Sequence, residues 1–148
     1  MLEIVTKRLV IKSDASVLEG EIVFPPTPPL DILNIDIRNE RNGFAIYLKE
    51  NPSIQVGQFG FRNDRYPYEL AYETIEEYRR NHYMQEAMEA FIDWFFKNVK
   101  VDCLYGIIAS GNIPSFKLAM KLGFEETGKT YGQSKLFKLS KNAILGKR

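Results

Sequence analysis

Four of the chain's seven prolines, Pro25, Pro26, Pro28 and Pro29, fall within five positions. Each fixes its own φ and removes a backbone donor, so residues 13–33 form neither regular helix nor a central strand. The cluster isolates one short N-terminal element from a long C-terminal run that must supply the rest of the regular structure. Such a stretch either docks into an aromatic groove of a partner or acts as a PPII-like connection within a domain, the commoner use of this composition.

Before the cluster, Val5, Leu9 and Ile11 recur near alternate positions, which predicts one half-buried strand over residues 4–11. After it, Asn42-Gly43 marks a turn, and residues 44–48 and 54–61 read as a hairpin around residues 49–53. Asn63 and Asp64 open another turn into a strand over residues 68–75, with Glu69, Ala71, Glu73 and Ile75 on one face. Two carboxylates on one face mark a sheet opening or a site, because a fully buried unpaired carboxylate is too costly. Met84, Ala87, Met88, Phe91, Phe95 and Val99 then follow helical spacing over residues 83–99, with Gln85, Glu89, Asp93 and Lys97 outward. A mostly apolar strand follows over 101–109. A short helix is expected over 113–122, opened by Pro114 and closed by Gly123. Residues 136–139 read as the last strand, and the polar tail after it as frayed. The whole, residues 1–148, reads as one α/β domain.

Several function classes are excluded at this level. The 20 Lys and Arg against 19 Asp and Glu are scattered, unlike the one-sided excess of nucleic-acid binders. Cys103 and His82 are each the only residue of their type, so neither an internal disulfide nor a closed Cys/His zinc site is available, and no metal is expected. No apolar run reaches the roughly eighteen residues of a membrane helix, and residues 1–12 alternate charged and apolar residues unlike a signal peptide. A cytoplasmic setting is the expectation. Cys103, on an apolar strand, reads as a buried inert thiol. Trp94, Phe95 and Phe96 read as packing groups between helix and sheet, or as a homodimer face if exposed.

The segment from Glu69 to Glu86 runs from a strand through Glu76-Glu77-Tyr78-Arg79-Arg80-Asn81-His82 into the long helix. A helix N-terminus presents unpaired N–H groups and partial positive charge, so such a turn is an anion pocket, and Arg79 and Arg80 add charged donors. The alternative is an ordinary solvated loop.

Residues 112–124, Asn112-Ile113-Pro114-Ser115-Phe116-Lys117-Leu118-Ala119-Met120-Lys121-Leu122-Gly123-Phe124, resemble the N-x-x-S-x-x-(apolar)-x-x-K-L-G-F signature of the GNAT N-acetyltransferases, in particular the ribosomal-protein N-terminal acetyltransferase branch. Thr6-Lys7-Arg8-Leu9-Val10-Ile11 is similar to that branch's T-x-R-L-x-(apolar) opening, and Gly57 to Phe61 to its central hairpin strand. Glu69-Leu70-Ala71-Tyr72 resembles its E-(apolar)-G-Y strand. Tyr83, Glu86 and Ala87 fall where it has G-Y-x-x-E-A.

The resemblance implies a GNAT fold, a mixed and mostly antiparallel sheet that splays open beside residues 69–75 and is flanked by helices. It also implies acetyl-CoA as co-substrate, its pantetheine arm lying between that strand and residues 101–109. Thr74, Ile75, Arg79, Arg80, Asn81, His82, Tyr83 and Met84 would surround the pyrophosphate. Asn112 would reach the pantetheine, and Phe116 and Lys121 the far end of the cofactor. The implied reaction is direct acetyl transfer to an amine acceptor, a small molecule or a protein N-terminus, with Glu69 as base, Glu73 as its alternative, and a backbone N–H near Ala71 or Tyr72 holding the developing oxyanion. Glu69 exposed at the splay suits that role; a Glu69 paired with Arg62 or Arg65 does not.

Three departures stand out. The Q/R-x-x-G-x-G/A loop reads Arg79-Arg80-Asn81-His82-Tyr83-Met84, with both small residues replaced. Its amides remain usable if φ stays negative, and Arg80 or His82 can contact phosphate directly, although His82 reads equally as a surface residue. Ala119 stands where many relatives carry the tyrosine that protonates the thiolate. Ser115 is the nearest hydroxyl, with an N-cap-like role as its alternative. The proline-rich connection replaces two helices that wall the acceptor site, which implies a shallow acceptor pocket or one completed by a second subunit in a homodimer. The rival reading is a non-catalytic GNAT fold serving as a CoA-binding sensor or scaffold.

Overall fold

The N-terminal strand turns back on itself at Thr6. In the computed structural model, which describes residues 3–12, 43–62, 68–98 and 101–145, the Thr6 N–H donates to Leu9 O at 2.9 Å and the Leu9 N–H to Thr6 Oγ1 at 3.0 Å. The single strand expected over residues 4–11 is therefore a hairpin, β1 (Glu3–Val5) against β2 (Leu9–Lys12). The proline cluster and the turns at Asn42, Asn63 and Asp64 lie outside the described residues.

The central hairpin forms as its pattern dictates, β3 (Gly43–Leu48) against β4 (Gln55–Arg62), with β5 (Glu69–Thr74) beside β4. Helix α1 (Tyr83–Asn98) carries the chain to β6 (Cys103–Ala109), which runs parallel to β5. Helix α2 (Ile113–Leu122) matches its expected bounds, with Asn112 as N-cap, Pro114 in its first turn and Gly123 at φ 102° closing it. The end of the chain departs from the reading. A strand β7 (Glu125–Tyr131) precedes β8 (Ser134–Ser140), and the tail expected to fray forms helix α3 (Lys141–Leu145). The eight strands make one sheet in the order β1-β2-β3-β4-β5-β6-β8-β7, antiparallel at every junction except β5 with β6.

Phe44, Phe59, Phe61 and Leu70 point to the side of the sheet that α1 covers, and Phe91 packs against the first three of them. Phe95 and Phe96 are buried and Trp94 is half-buried, so these aromatics pack within the domain. Cys103 is only half-buried.

Gly57 lets the β5 backbone and the Met84 side chain of helix α1 approach β4 closely. A Cβ there would lie 2.8 Å from the Glu73 carbonyl oxygen and 3.2 Å from Met84 Cε. Backbone cannot yield as a flexible side chain can. Gly57→Ala is expected to cost about 1–3 kcal/mol of stability, read from denaturant midpoints.

Candidate active site

Strands β5 and β6 pair at one position, Glu69 opposite Tyr105, where the Tyr105 N–H donates to Tyr68 O at 3.1 Å. Beyond that vertex they diverge. The ladder on the other edge of β5 shows which groups the divergence exposes. Ile75 N–H donates to Val56 O at 2.8 Å, so the odd-numbered residues of β5 bond to β4, and the even-numbered residues turn their backbone the other way. Tyr72 and Thr74 thus direct N–H and C=O groups into the gap between the strands, and Leu70 its C=O, its N–H being the second bond of the pairing with Tyr105. Ala71 N–H is directed to β4, which leaves Tyr72 N–H as the donor in the gap.

The gap leads towards the N-terminus of α1. A 3-10 turn at Glu76–Tyr78 delivers the chain to Arg79, whose Nε donates to Thr74 O at 3.2 Å. Arg80 and His82 hold φ values of 69° and 60°, in the left-handed region. The condition of negative φ is therefore not met at these two residues. Alternating hands of this kind form a concave nest of N–H groups. Asn81 supports it, its Nδ2 donating to Tyr78 O at 3.1 Å and Arg79 O at 3.2 Å. Among the described residues, no group accepts from the N–H groups of Arg80 to Gln85. Met84, which replaces a small residue, turns its side chain into the core beneath Gly57 and away from those amides. Arg79, Arg80, Asn81 and His82 are all exposed around them.

Two sequence motifs far apart in the chain meet here. Glu86, in the first turn of α1, accepts from Thr6 Oγ1 at 2.5 Å and the Arg8 N–H at 2.8 Å through Oε2, and from Arg8 Nε at 2.6 Å through Oε1. The Arg8 guanidinium lies 4.6 Å from the centre of the Tyr83 ring. Burial of the Glu86 carboxyl works to raise its pKa, but the Thr6 and Arg8 donors and the Arg8 charge outweigh it and hold the pKa below the ordinary glutamate value. A carboxyl depressed in the folded state stabilises the fold above its unfolded pKa, and that contribution is lost as pH falls through the folded value. Acidification below about pH 4.3 is thus expected to lower the melting temperature of the wild type more steeply than that of Glu86→Gln.

On the other side of the gap, Asn112 Oδ1 caps α2 by accepting from the Ser115 N–H at 3.3 Å. The capping role considered for Ser115 therefore belongs to Asn112. Tyr72 spans the gap, its hydroxyl donating to the Ser115 carbonyl at 3.1 Å. Burial, only partly offset by that hydrogen bond, pushes the phenol pKa up to about 12, so it stays a donor at neutral pH. Sequence reasoning named only the Tyr72 backbone N–H and passed over its hydroxyl. Its only signal was a place on the face opposite Glu69, three residues along.

The sequence-derived residues do not all converge. Thr74, Ile75 and residues 79–84 surround the α1 end of the gap, and Asn112 and Ser115 border its α2 side. Phe116 stacks edge-on against Phe137 of β8, on the far side of β6 from β5. Lys121 is exposed on α2. Glu69 is 3% exposed and stands opposite Arg62 in the ladder, so the vertex covers it. The expectation that the splay exposes Glu69 is corrected; Glu73, on the same face, is the exposed carboxylate. No three His, Cys, Asp or Glu residues among those described gather as a metal site, and no helix among them is long and apolar enough to cross a membrane.

A mixed sheet opened between two parallel strands, with a helix N-terminus of free amides beside the opening, defines a scaffold for holding an extended anionic ligand. The acetyltransferase (GNAT) domain family matches residues 15–125, and the chain belongs to this family. A GNAT-family acetyltransferase from Bacillus anthracis is similar at 20% identity, covering 94% of this chain and 98% of its own, with a TM-score of 0.66. An acetyltransferase from Agrobacterium tumefaciens is similar at 18% identity over 95% of both chains, with a TM-score of 0.69. The ribosomal-protein-S5-alanine acetyltransferase of Vibrio fischeri is similar at 14% identity, covering 95% and 97%, with a TM-score of 0.66. At these identities the likeness is one of fold. No curated protein matches the chain in sequence.

Proposed function

We propose that this protein is an acetyl-CoA-dependent N-acetyltransferase that moves an acetyl group directly to an amine. One observation carries the reading: the backbone groups of Leu70, Tyr72 and Thr74 line a gap that leads to the free amides of Arg80 to Gln85. A chain of amides ending in phosphates matches that sequence of partners. Acetyl-CoA supplies an activated thioester. Arg79, Arg80 and His82 with the loop amides hold its phosphates, and the β5 backbone with Asn112 holds the arm. Lys121 serves the far end of the ligand. Phe116 meets Phe137 of β8 edge-on and stays 38% exposed.

For the chemistry, Glu69, covered at the vertex, takes the proton of the acceptor amine through water. It does so from the vertex where the two strands part, and Glu73 is the runner-up. The Tyr72 N–H donates to the carbonyl oxygen that gains charge. With Ala119 in place of a helix tyrosine, the Tyr72 hydroxyl, which reaches α2 at Ser115, gives a hydrogen bond to the departing sulfur. Ser115 contributes its backbone carbonyl as the resting partner of that hydroxyl. Tyr72→Phe is expected to lower kcat about tenfold with little change in acetyl-CoA affinity, the magnitude of one hydrogen bond of ordinary strength.

The resemblance to the ribosomal-protein acetyltransferase branch, and the Vibrio fischeri neighbour's name, direct the acceptor search to protein N-termini before small amines, in a cytoplasmic setting. The test is thiol release from acetyl-CoA against a panel of N-terminal peptides and small primary amines. Acceptor-dependent release supports the reading. Tight CoA binding with no release for any amine points to the sensor reading instead.

A further inference from the structure

We infer that the Thr6–Arg8–Glu86 cluster is the device that holds the phosphate-facing loop in shape, and that it does so because His82 occupies a left-handed position where a glycine would need no help. The inference rests on the proposed reading of the loop as a cofactor site, but its mechanical part does not. A non-glycine residue at φ 60° persists only where its surroundings over-determine it. The structure shows what does so. The Glu86 N–H donates to the His82 carbonyl oxygen at 3.1 Å, which fixes the peptide leaving His82. The Glu86 carboxylate is in turn fixed by three donors from the β1–β2 hairpin, the Thr6 hydroxyl, the Arg8 N–H and Arg8 Nε. Arg8 also covers the ring of Tyr83, the residue after His82. Backbone and side chain of one glutamate thus join the edge hairpin to the strained residue. Arg8 and Glu86 are positioning residues here: they hold the loop through His82 and Tyr83.

A double-mutant cycle separates this from a merely structural role. Glu86→Ala is expected to weaken CoA binding about tenfold in the His82 protein and no more than about twofold in a His82→Gly background, since glycine holds the left-handed conformation unaided. Calorimetric titration with CoA reads both arms. Melting temperatures without ligand give an independent arm. His82→Gly is expected to raise the melting temperature of the wild type and to leave that of Glu86→Ala nearly unchanged, because the strain is present only while the cluster enforces it. Equal losses of affinity in both backgrounds, or equal shifts of melting temperature, overturn the inference. If the wild type binds no CoA, the cofactor reading fails and the melting arm still decides the mechanical claim. Arg8→Met, which leaves the Arg8 N–H bond in place, replaces Glu86→Ala should the latter not fold, with the same pattern expected at smaller amplitude.

Discussion

Phe91→Ala is expected to lower unfolding stability by about 3–5 kcal/mol, a loss large beside the roughly 5–15 kcal/mol that domains have in total. Phe91 is 0% exposed and stands at the centre of an aromatic cluster. Its ring lies 5.1 Å from Phe44, 4.7 Å from Phe59 and 5.9 Å from Phe61, centre to centre, and 5.9 Å from both Trp94 and Phe95. Truncation removes the apolar burial and leaves a void that rings on a paired sheet cannot collapse to fill. The same contacts seat α1 on β3 and β4, so the loss also loosens the helix whose N-terminus faces the candidate ligand. Denaturant unfolding of Phe91→Ala and Phe91→Leu checks this, the leucine variant falling between alanine and wild type. A loss near 1 kcal/mol for the alanine variant would place the seat of α1 elsewhere.

Glu69→Gln is expected to lower kcat at pH 7 about a hundredfold, at the lower end of what a general base contributes, with acetyl-CoA affinity changed little. Glutamine keeps the size and polarity of a side chain that the vertex buries, and removes its ability to accept the amine proton. The parallel variant Glu73→Gln controls for a general effect of charge on that face, because Glu73 shares the face and is exposed. Its kcat is expected to stay within about threefold of wild type, consistent with a surface substitution remote from proton transfer. The reverse ranking would move the base to Glu73, and wild-type rates for both would remove the carboxylates from the reaction.

Most of the sheet and both long helices are legible in the sequence because their signals are local. Pro114 and Gly123 bracket α2, and the three–four spacing from Met84 to Phe95 draws α1. β7 escaped because six of its seven residues are exposed, leaving no apolar alternation to read. The reversal at Thr6 escaped because a threonine turn carries no glycine or proline to mark it. α3 is short and begins with Lys141 and Asn142, whose place is set by a tertiary bond from the Lys141 N–H to Asp102 O at 2.7 Å.

At the site the same division holds. The strand, the loop and the α2 motif are each continuous in sequence and are legible there. The left-handed φ at Arg80 and His82 runs against residue preference, and the burial of Glu69 depends on how long β5 stays paired with β6. The contact between Thr6, Arg8 and Glu86 joins residues nearly eighty positions apart and follows from no local rule. Tyr72 finds its partner on α2 only after the chain has crossed the sheet and returned.

Calorimetric titration of the purified wild type with acetyl-CoA and with CoA tests the central claim most directly, that the gap beside β5 and the amides of the α1 loop form one cofactor site. Micromolar binding of both ligands at one site per chain, weakened by added salt as the phosphate contacts are screened, is the predicted result. Absence of binding by the wild type, with binding gained by the Arg80→Gly/His82→Gly double variant, would contradict it and leave a GNAT fold whose loop has closed the site.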